Sequence, residues 1–330
     1  MKTHKEIYLG AQKLATSFDE VSGTEVKVDG ETFYKITNYD AMRPFFMSIV
    51  SNSNHWMFIS STGGLTAGRK NSNFALFPYY TDDKITKSSE TTGSKTLCLV
   101  SRSGKTSLWE PFSTRYEGVY DLSRNLYKNS YGNKVKFEEV NHDLGLTFSY
   151  EWNSSDKFGF VRKSALINHG SEAVSVQFID GLQNLLPYGV EDALQNASSN
   201  LVDAYKKCEL ETSVGLGLFS LSAIIVDKAE PSEALRSNVA WSLGRPNAIR
   251  LLSSKQLNAF RNGEMPKQEV DIKAERGAYM LCDTVELPVG VAEHWSILAD
   301  VNKGPVEVAD LMEALERPED LLAEVSADVE

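Results

Sequence analysis

The feature that most constrains this chain is a succession of short alternating segments cut by turn residues, which leaves little room for long helices. Between residues 134 and 181 four such segments follow one another, at 135–140, 144–152, 159–168 and 173–179. The breaks are Asn141-His142-Asp143, Asn153-Ser154-Ser155-Asp156 and Asn168-His169-Gly170-Ser171. Their side chains can bond back to the local backbone, which favours turns. Upstream, Asp29-Gly30 separates two alternating runs, and both residues tolerate the positive φ of a two-residue hairpin turn. A second hairpin is predicted around Arg102-Ser103-Gly104, and further strands at 215–227, 278–286 and 293–302. No strand–helix alternation of the parallel-sheet kind occurs. The prediction is a mainly β chain: one large antiparallel domain of two packed sheets.

Helical signals are few in this body. Residues 192–207 are expected to hold one or two turns, and 253–261 a short helix capped by Ser253 or Ser254. The end of the chain differs. Pro305 suits a first helical position, and Val308, Leu311, Met312 and Leu315 recur at helical spacing. Arg317-Pro318 interrupts that helix, and a second follows with Leu321, Leu322, Val325 and Val329 on its apolar side. The organisation predicted is a β domain over 1–304 and an acidic helical segment over 305–330. That segment either folds back on the β domain or begins a connector in a longer protein.

Charge and cysteine usage narrow the class. The formal charge is −11, and residues 305–330 hold nine acids and one base, so most of the excess sits there. A nucleic acid or an anionic membrane requires a basic footprint, so neither is expected as a partner. With 42% hydrophobic residues the chain can form a core, which excludes intrinsic disorder. Cys98, Cys208 and Cys282 are odd in number and form no CxxC pair, which argues against a zinc site or a redox centre. The start, Met1-Lys2-Thr3-His4, lacks the apolar core of an export signal. The longest apolar stretch, 214–226, is 13 residues and falls short of the about 18 that read as a membrane span. The expected location is therefore the cytoplasm.

The segment 38–80 is the richest in chemistry, with amides, hydroxyls, His55 and many aromatics placed between apolar runs. Sugars present CH faces and hydroxyl edges, so a site for them combines aromatic platforms with planar polar groups. Phe45, Phe46, Met57 and Phe58 can equally be core residues. Gly63-Gly64 and Arg69 could expose backbone N–H groups and a cation to an anion. The segment is neither a P-loop nor a dinucleotide fingerprint, and a turn between two strands is the default. The histidines at 4, 55, 142, 169 and 294 form no metal-binding spacing, so no metal is expected. No residue is marked as catalytic.

The continuous run from Met42 to Arg69, through Arg43-Pro44-Phe45-Phe46, Asn54-His55-Trp56 and Gly63-Gly64, and the run Phe77-Pro78-Tyr79-Tyr80 to Ile85 resemble the start of glycoside phosphorylases. The members in question are those acting as cellobiose phosphorylase and β-1,3-oligoglucan phosphorylase. Trp109-Glu110-Pro111, the Tyr-rich stretch after Arg115 and Asn168-His169-Gly170 fit the same picture. The resemblance implies a β-supersandwich similar to galactose mutarotase, followed by a helical linker and an (α/α)₆ barrel. In that family the barrel carries the general acid and the site for inorganic phosphate, the co-substrate. The resemblance thus implies a carbohydrate-associated domain of an enzyme acting on β-glucan oligosaccharides, without cofactor. Its partners would be oligosaccharide, a catalytic domain of the same parent chain, and a second copy in a homodimer. The 330 residues alone are expected to be inactive. Asn54, His55, Trp56, Gly63, Gly64, Arg69 and Trp109 are the expected sugar-contacting residues. The Asn54-His55-Trp56 and 63–69 loops are expected on one rim of the sandwich.

Two further readings stand beside this one. The first is a free-standing carbohydrate-binding module. The second is a mutarotase-like epimerase, which needs two histidines and an acid in one pocket, such as His55 with His142 or His169.

Overall fold

The computed structural model describes residues 6–15, 20–223 and 235–329. His4, the first residues of the chain, the end of the expected 215–227 strand and Glu330 lie outside them. Among the described residues the chain forms an eleven-stranded, a five-stranded, a four-stranded and a two-stranded antiparallel sheet. Five short helices accompany them: α1 (Asp82–Lys87), α2 (Asp192–Asp203), α3 (Leu257–Arg261), α4 (Pro305–Leu315) and α5 (Pro318–Val329). The chain is mainly β and its large sheets are antiparallel, as the turn-punctuated pattern predicts.

Both expected hairpins form. Ser22–Val28 pairs with Glu31–Thr37 across Asp29 and Gly30, whose φ angles are 51° and 86°. Gly93–Arg102 pairs with Lys105–Trp109 across Ser103 and Gly104, both also at positive φ. Val135–Asn141, Leu146–Ser155 and Gly159–Asn168 follow one another as neighbours in the eleven-stranded sheet. Leu122–Asn129, hidden in the Tyr-rich stretch, adds a strand that no alternation announces.

The fourth segment of the expected meander leaves it. Gly159–Asn168 pairs with Ala292–Lys303, while Val174–Leu185 joins the five-stranded sheet between Gly93–Arg102 and Gly277–Leu287. Asn168 makes the transfer. Its amide donates to Glu172 O at 2.9 Å and to Leu287 O of the other sheet at 2.8 Å, and its Oδ1 accepts from Gly170 N–H.

The sheets stack with a helix layer outside each. Phe137, Phe148, Trp295 and Ile297 of the eleven-stranded sheet meet Val176, Phe178 and Leu281 of the five-stranded sheet. Phe178 stacks on Trp295 at 4.6 Å. Because side chains alternate along a strand, the next residues face outward. Ile179 and Met280 pack under Leu257 and Phe260 of α3, and Val161, Trp241 and Leu298 pack under α4 and α5. Strands buried on both faces read as continuous apolar runs.

One buried ion pair joins the two large sheets. Arg162 and Asp180 are both fully buried, with guanidinium–carboxylate bonds of 2.7 and 2.9 Å, and Asp180 also accepts from Thr96, Ser164 and the Trp295 indole.

Three helix details differ from expectation. Ser253 is not a cap; it is buried and donates to Glu269, and α3 begins only at Leu257. The α2 helix runs twelve residues but is kinked at Ser198. In α5 Leu321, Val325 and Val329 are buried, whereas Leu322 is 42% exposed. The two acidic helices lie folded back on the eleven-stranded sheet through Leu315 and those three residues.

Candidate functional site

The residues expected to touch sugar are separated by the hairpin that contains them. His55–Ser60 pairs with Leu65–Arg69, with His55 opposite Arg69 and Trp56 opposite Gly68. Arg69 therefore returns beside Asn54 and His55, whereas the Gly63-Gly64 turn lies at the opposite end of the strand. The expectation of a single rim is corrected by this register: a strand of six residues puts its two ends roughly 20 Å apart.

Each end is held by the protein itself. Gly63 takes a φ of 87° in the turn, and a β-carbon on Gly64 would stand 2.0 Å from Ile85 O, so this glycine admits α1. At the other end Arg69 Nε lies 2.8 Å from buried Asp300 Oδ1, and its guanidinium donates to Asp156 O at 2.7 Å. Asn54 Oδ1 accepts a long bond from Arg69 at 3.4 Å. His55 Nδ1 lies 2.6 Å from Ser53 Oγ, and its ring meets Phe160 edge-on at 4.9 Å. Burial, reinforced by the charge of Arg69, lowers the His55 pKa to about 4.

Trp109 is misplaced as a sugar contact. It is 1% exposed, and its indole donates to Glu139 Oε1 at 2.7 Å, so no ring face is open. Glu139 also accepts from Arg124 and from the N–H of Phe112, a residue held at a φ of 63°.

An open aromatic surface does form, on the face of the four-stranded sheet that carries Trp56 and Phe58. Alternation turns Met57 and Ile59 into the core and Trp56 and Phe58 to the other side. Part of that side is covered: Ser60 and Thr66 are buried, and the Thr86 hydroxyl donates to Ser60 from α1. Beyond α1 the Phe58 end of the face is open, while Trp56 is partly buried against the cluster of Ala75, Leu186, Val190 and Val202 that α2 completes. Phe58 is 40% exposed, Tyr79 42% and Phe46 37%. Trp56 lies between them, 6.4 Å from the Phe58 ring and 5.6 Å from the Tyr79 ring, with its indole N–H on Asn71 O. Phe46, Phe58 and Tyr79 are not among the residues expected to contact sugar. The only signal for the first two was their even spacing from Trp56 and Ser60 along paired strands.

His55 does not meet His142 or His169. His55 packs on Phe160, near the start of Gly159–Asn168, while His169 follows the end of that strand and His142 bonds Ser123 at the same end. Eight residues separate Phe160 from Asn168, roughly 27 Å along a strand.

Comparison with protein-family models and with curated proteins finds no match. Several solved structures are similar in shape. A bacterial glucoamylase, determined with acarbose, has 8% identity over 95% of this chain and 38% of its own, with a TM-score of 0.47. A polysaccharide lyase has 12% identity over 80% of this chain and 33% of its own, with a TM-score of 0.42. A galactose mutarotase-like protein from Lactobacillus casei has 10% identity over 78% of this chain and 100% of its own, with a TM-score of 0.41. The chain thus spans 38% and 33% of the length of the first two. At these identities the likeness is one of fold.

Proposed function

We propose that this chain is a carbohydrate-associated β-sandwich domain that holds β-gluco-oligosaccharide on the Trp56–Phe58–Tyr79 face. The observation that carries the reading is that the exposed rings of Phe58 and Tyr79 flank the partly buried Trp56 ring. Such a surface is too apolar to be left idle and suits the CH faces of pyranose rings. The residue resemblance to glycoside phosphorylases supports the finer assignment. In that reading the general acid and the site for inorganic phosphate belong to a catalytic barrel, which the described residues do not contain. The domain would serve that barrel in the cytoplasm and contact a second copy of itself. A second reading, in which the same rings pack against the catalytic domain, rests on their shared position beside α1.

Titration of the purified chain with cello- and β-1,3-gluco-oligosaccharides tests this. Saturable binding is expected, weakened about tenfold, roughly 1.4 kcal/mol, by Phe58→Ala. Thermal melting of that variant should change little, because Phe58 is partly exposed. No detectable binding of either oligosaccharide, or binding indifferent to Phe58→Ala and Trp56→Ala, would refute the proposal. The chain alone is expected to release no sugar 1-phosphate from these substrates in phosphate buffer.

A further inference from the structure

A second concave site lies on the five-stranded sheet and contains none of the aromatic residues above. It is a cleft of about 460 Å³, within the size range of small-ligand sites. Its floor is a β-bulge. Val174–Leu185 shifts register against Gly277–Leu287 between Gln183 and Leu185, with Asn184 at a φ of 60°. In a regular strand consecutive side chains face opposite sides; here Gln183 and Asn184 both line the cleft. Asn184 is bonded to Thr92. Gln183 is 3% exposed, and its amide nitrogen is buried with no partner. Ala274, also at the cleft, holds a φ of 59° without a side chain that could stabilise it locally. Left-handed residues of this kind are strained and concentrate at ligand sites.

The charge of the cleft runs against that of the chain. Lys95, Arg115, Lys255, Arg261 and Arg276 line it, against Glu90, Asp203 and Glu275. Behind them buried Glu110 binds Lys95 at 3.1 Å and Arg261 at 2.5 and 3.0 Å. Arg276 bonds Asp203 at 3.2 Å and Lys255 bonds Glu275 at 2.8 Å. Arg115 differs: its nearest carboxylate oxygen is 3.9 Å away on Glu110, and its side chain is 49% exposed. The cleft thus offers one unsaturated guanidinium, an unpartnered amide donor and no aromatic platform.

We infer that this cleft binds an anionic monosaccharide, with its oxyanion on Arg115 and its hydroxyls on Gln183 and the polar wall. A carboxylate and a phosphate share the oxyanion chemistry that a guanidinium recognises. The inference does not depend on the aromatic face.

The test is calorimetric titration of the whole chain with glucuronate, glucose 1-phosphate, glucose and inorganic phosphate. Saturable binding of glucuronate or glucose 1-phosphate, at least about tenfold tighter than glucose or phosphate alone, is expected. Whichever anion binds identifies the source. Arg115→Gln should weaken that binding about tenfold or more while melting stays unchanged, since its side chain is half exposed. Gln183→Leu should also weaken it without loss of stability, because no bond within the protein is removed. Trp56→Ala should leave it untouched. Binding of neither anionic sugar, equal affinity for glucose, equal affinity for inorganic phosphate, or affinity indifferent to Arg115→Gln would overturn the inference.

Discussion

The indole of Trp56 lies directly over Gly68: a β-carbon at residue 68 would stand 2.5 Å from the Trp56 ring and 2.4 Å from Phe74 O. The glycine therefore serves two contacts at once, the seating of the ring and the approach of the 3₁₀ turn that leads into Ala75–Phe77. Trp56 owes its place beside Phe58 and Tyr79 to a missing side chain on the neighbouring strand.

Gly68→Ala is expected to displace both neighbours. One is backbone, which yields less readily than a side chain, so the loss should be about 1–3 kcal/mol of stability. Chemical denaturation measures it. The Trp56 ring should also swing away from Tyr79, and tryptophan emission of Gly68→Ala compared with Gly68→Ala/Trp56→Phe isolates that movement. An unchanged denaturation midpoint would show that the ring and the turn relax freely.

Trp109→Phe keeps the buried ring and removes only its N–H. Glu139 would retain Arg124 and the Phe112 N–H but lose the 2.7 Å indole bond. A loss of about 1–3 kcal/mol is expected, with oligosaccharide affinity unchanged. A fall in affinity at constant stability would return Trp109 to the sugar site.

Asp180→Ala is expected to be far more damaging, by roughly 3–5 kcal/mol, because it leaves the Arg162 guanidinium charged and buried between the sheets. Arg162→Met with Asp180→Leu should recover part of that loss, since an ion pair replaced by apolar residues avoids the desolvation of both charges. Denaturant midpoints of the single and double variants compare the two.

What could be read from the sequence was local. Asp29-Gly30 declares its hairpin because the turn needs only its own two residues, and Val308, Leu311 and Leu315 declare a helix by spacing alone. Val174–Leu185 shows the limit: its alternation reports burial but not which sheet it joins, and the transfer depends on Asn168 reaching Leu287, 119 positions away. The same limit hid the cleft. Gln183 and Asn184 line it together only because the register of Val174–Leu185 shifts against Gly277–Leu287 between Gln183 and Leu185. Trp109, expected at the surface, is buried, and Phe58, left open between core and site, is exposed, for a related reason. Both are aromatic residues near predicted turns, and only the register decides which one faces water.

Acid should destabilise the protein partly through His55. Its pKa is lowered from 6.5 to about 4 by burial and by Arg69, so between those values the unfolded chain binds a proton that the folded chain refuses. Stability is therefore intact above the unfolded value and falls as pH drops through that window. Replacement of the ring by a residue that does not titrate removes this contribution. His55→Asn should lose less stability than the parent on going from neutral pH to about pH 5 in urea titrations. Parallel losses in the two proteins would mean that His55 is protonated in the folded state.

The docking of α4 and α5 gives the last expectation. Leu321 and Val325 are 2% and 1% exposed and rest with Leu315 on Val161, Trp241 and Leu298 of the eleven-stranded sheet and on Phe158 in the turn before Gly159–Asn168. A helix attached only as an acidic tether would tolerate truncation of these side chains, because nothing would be lost from a core. A helix that completes the sheet's outer face would not. Leu321→Ala is expected to cost about 2–5 kcal/mol, whereas Leu322→Ala, one position on and 42% exposed, should change little. Val325→Asp should go further, placing a charge among apolar side chains and releasing α5 so that Trp241 becomes open to water. Proteolysis within residues 316–329, together with quenching of Trp241 emission by acrylamide, reports that release. Equal melting temperatures for Leu321→Ala and Leu322→Ala would separate the acidic helices from the stability of the sandwich.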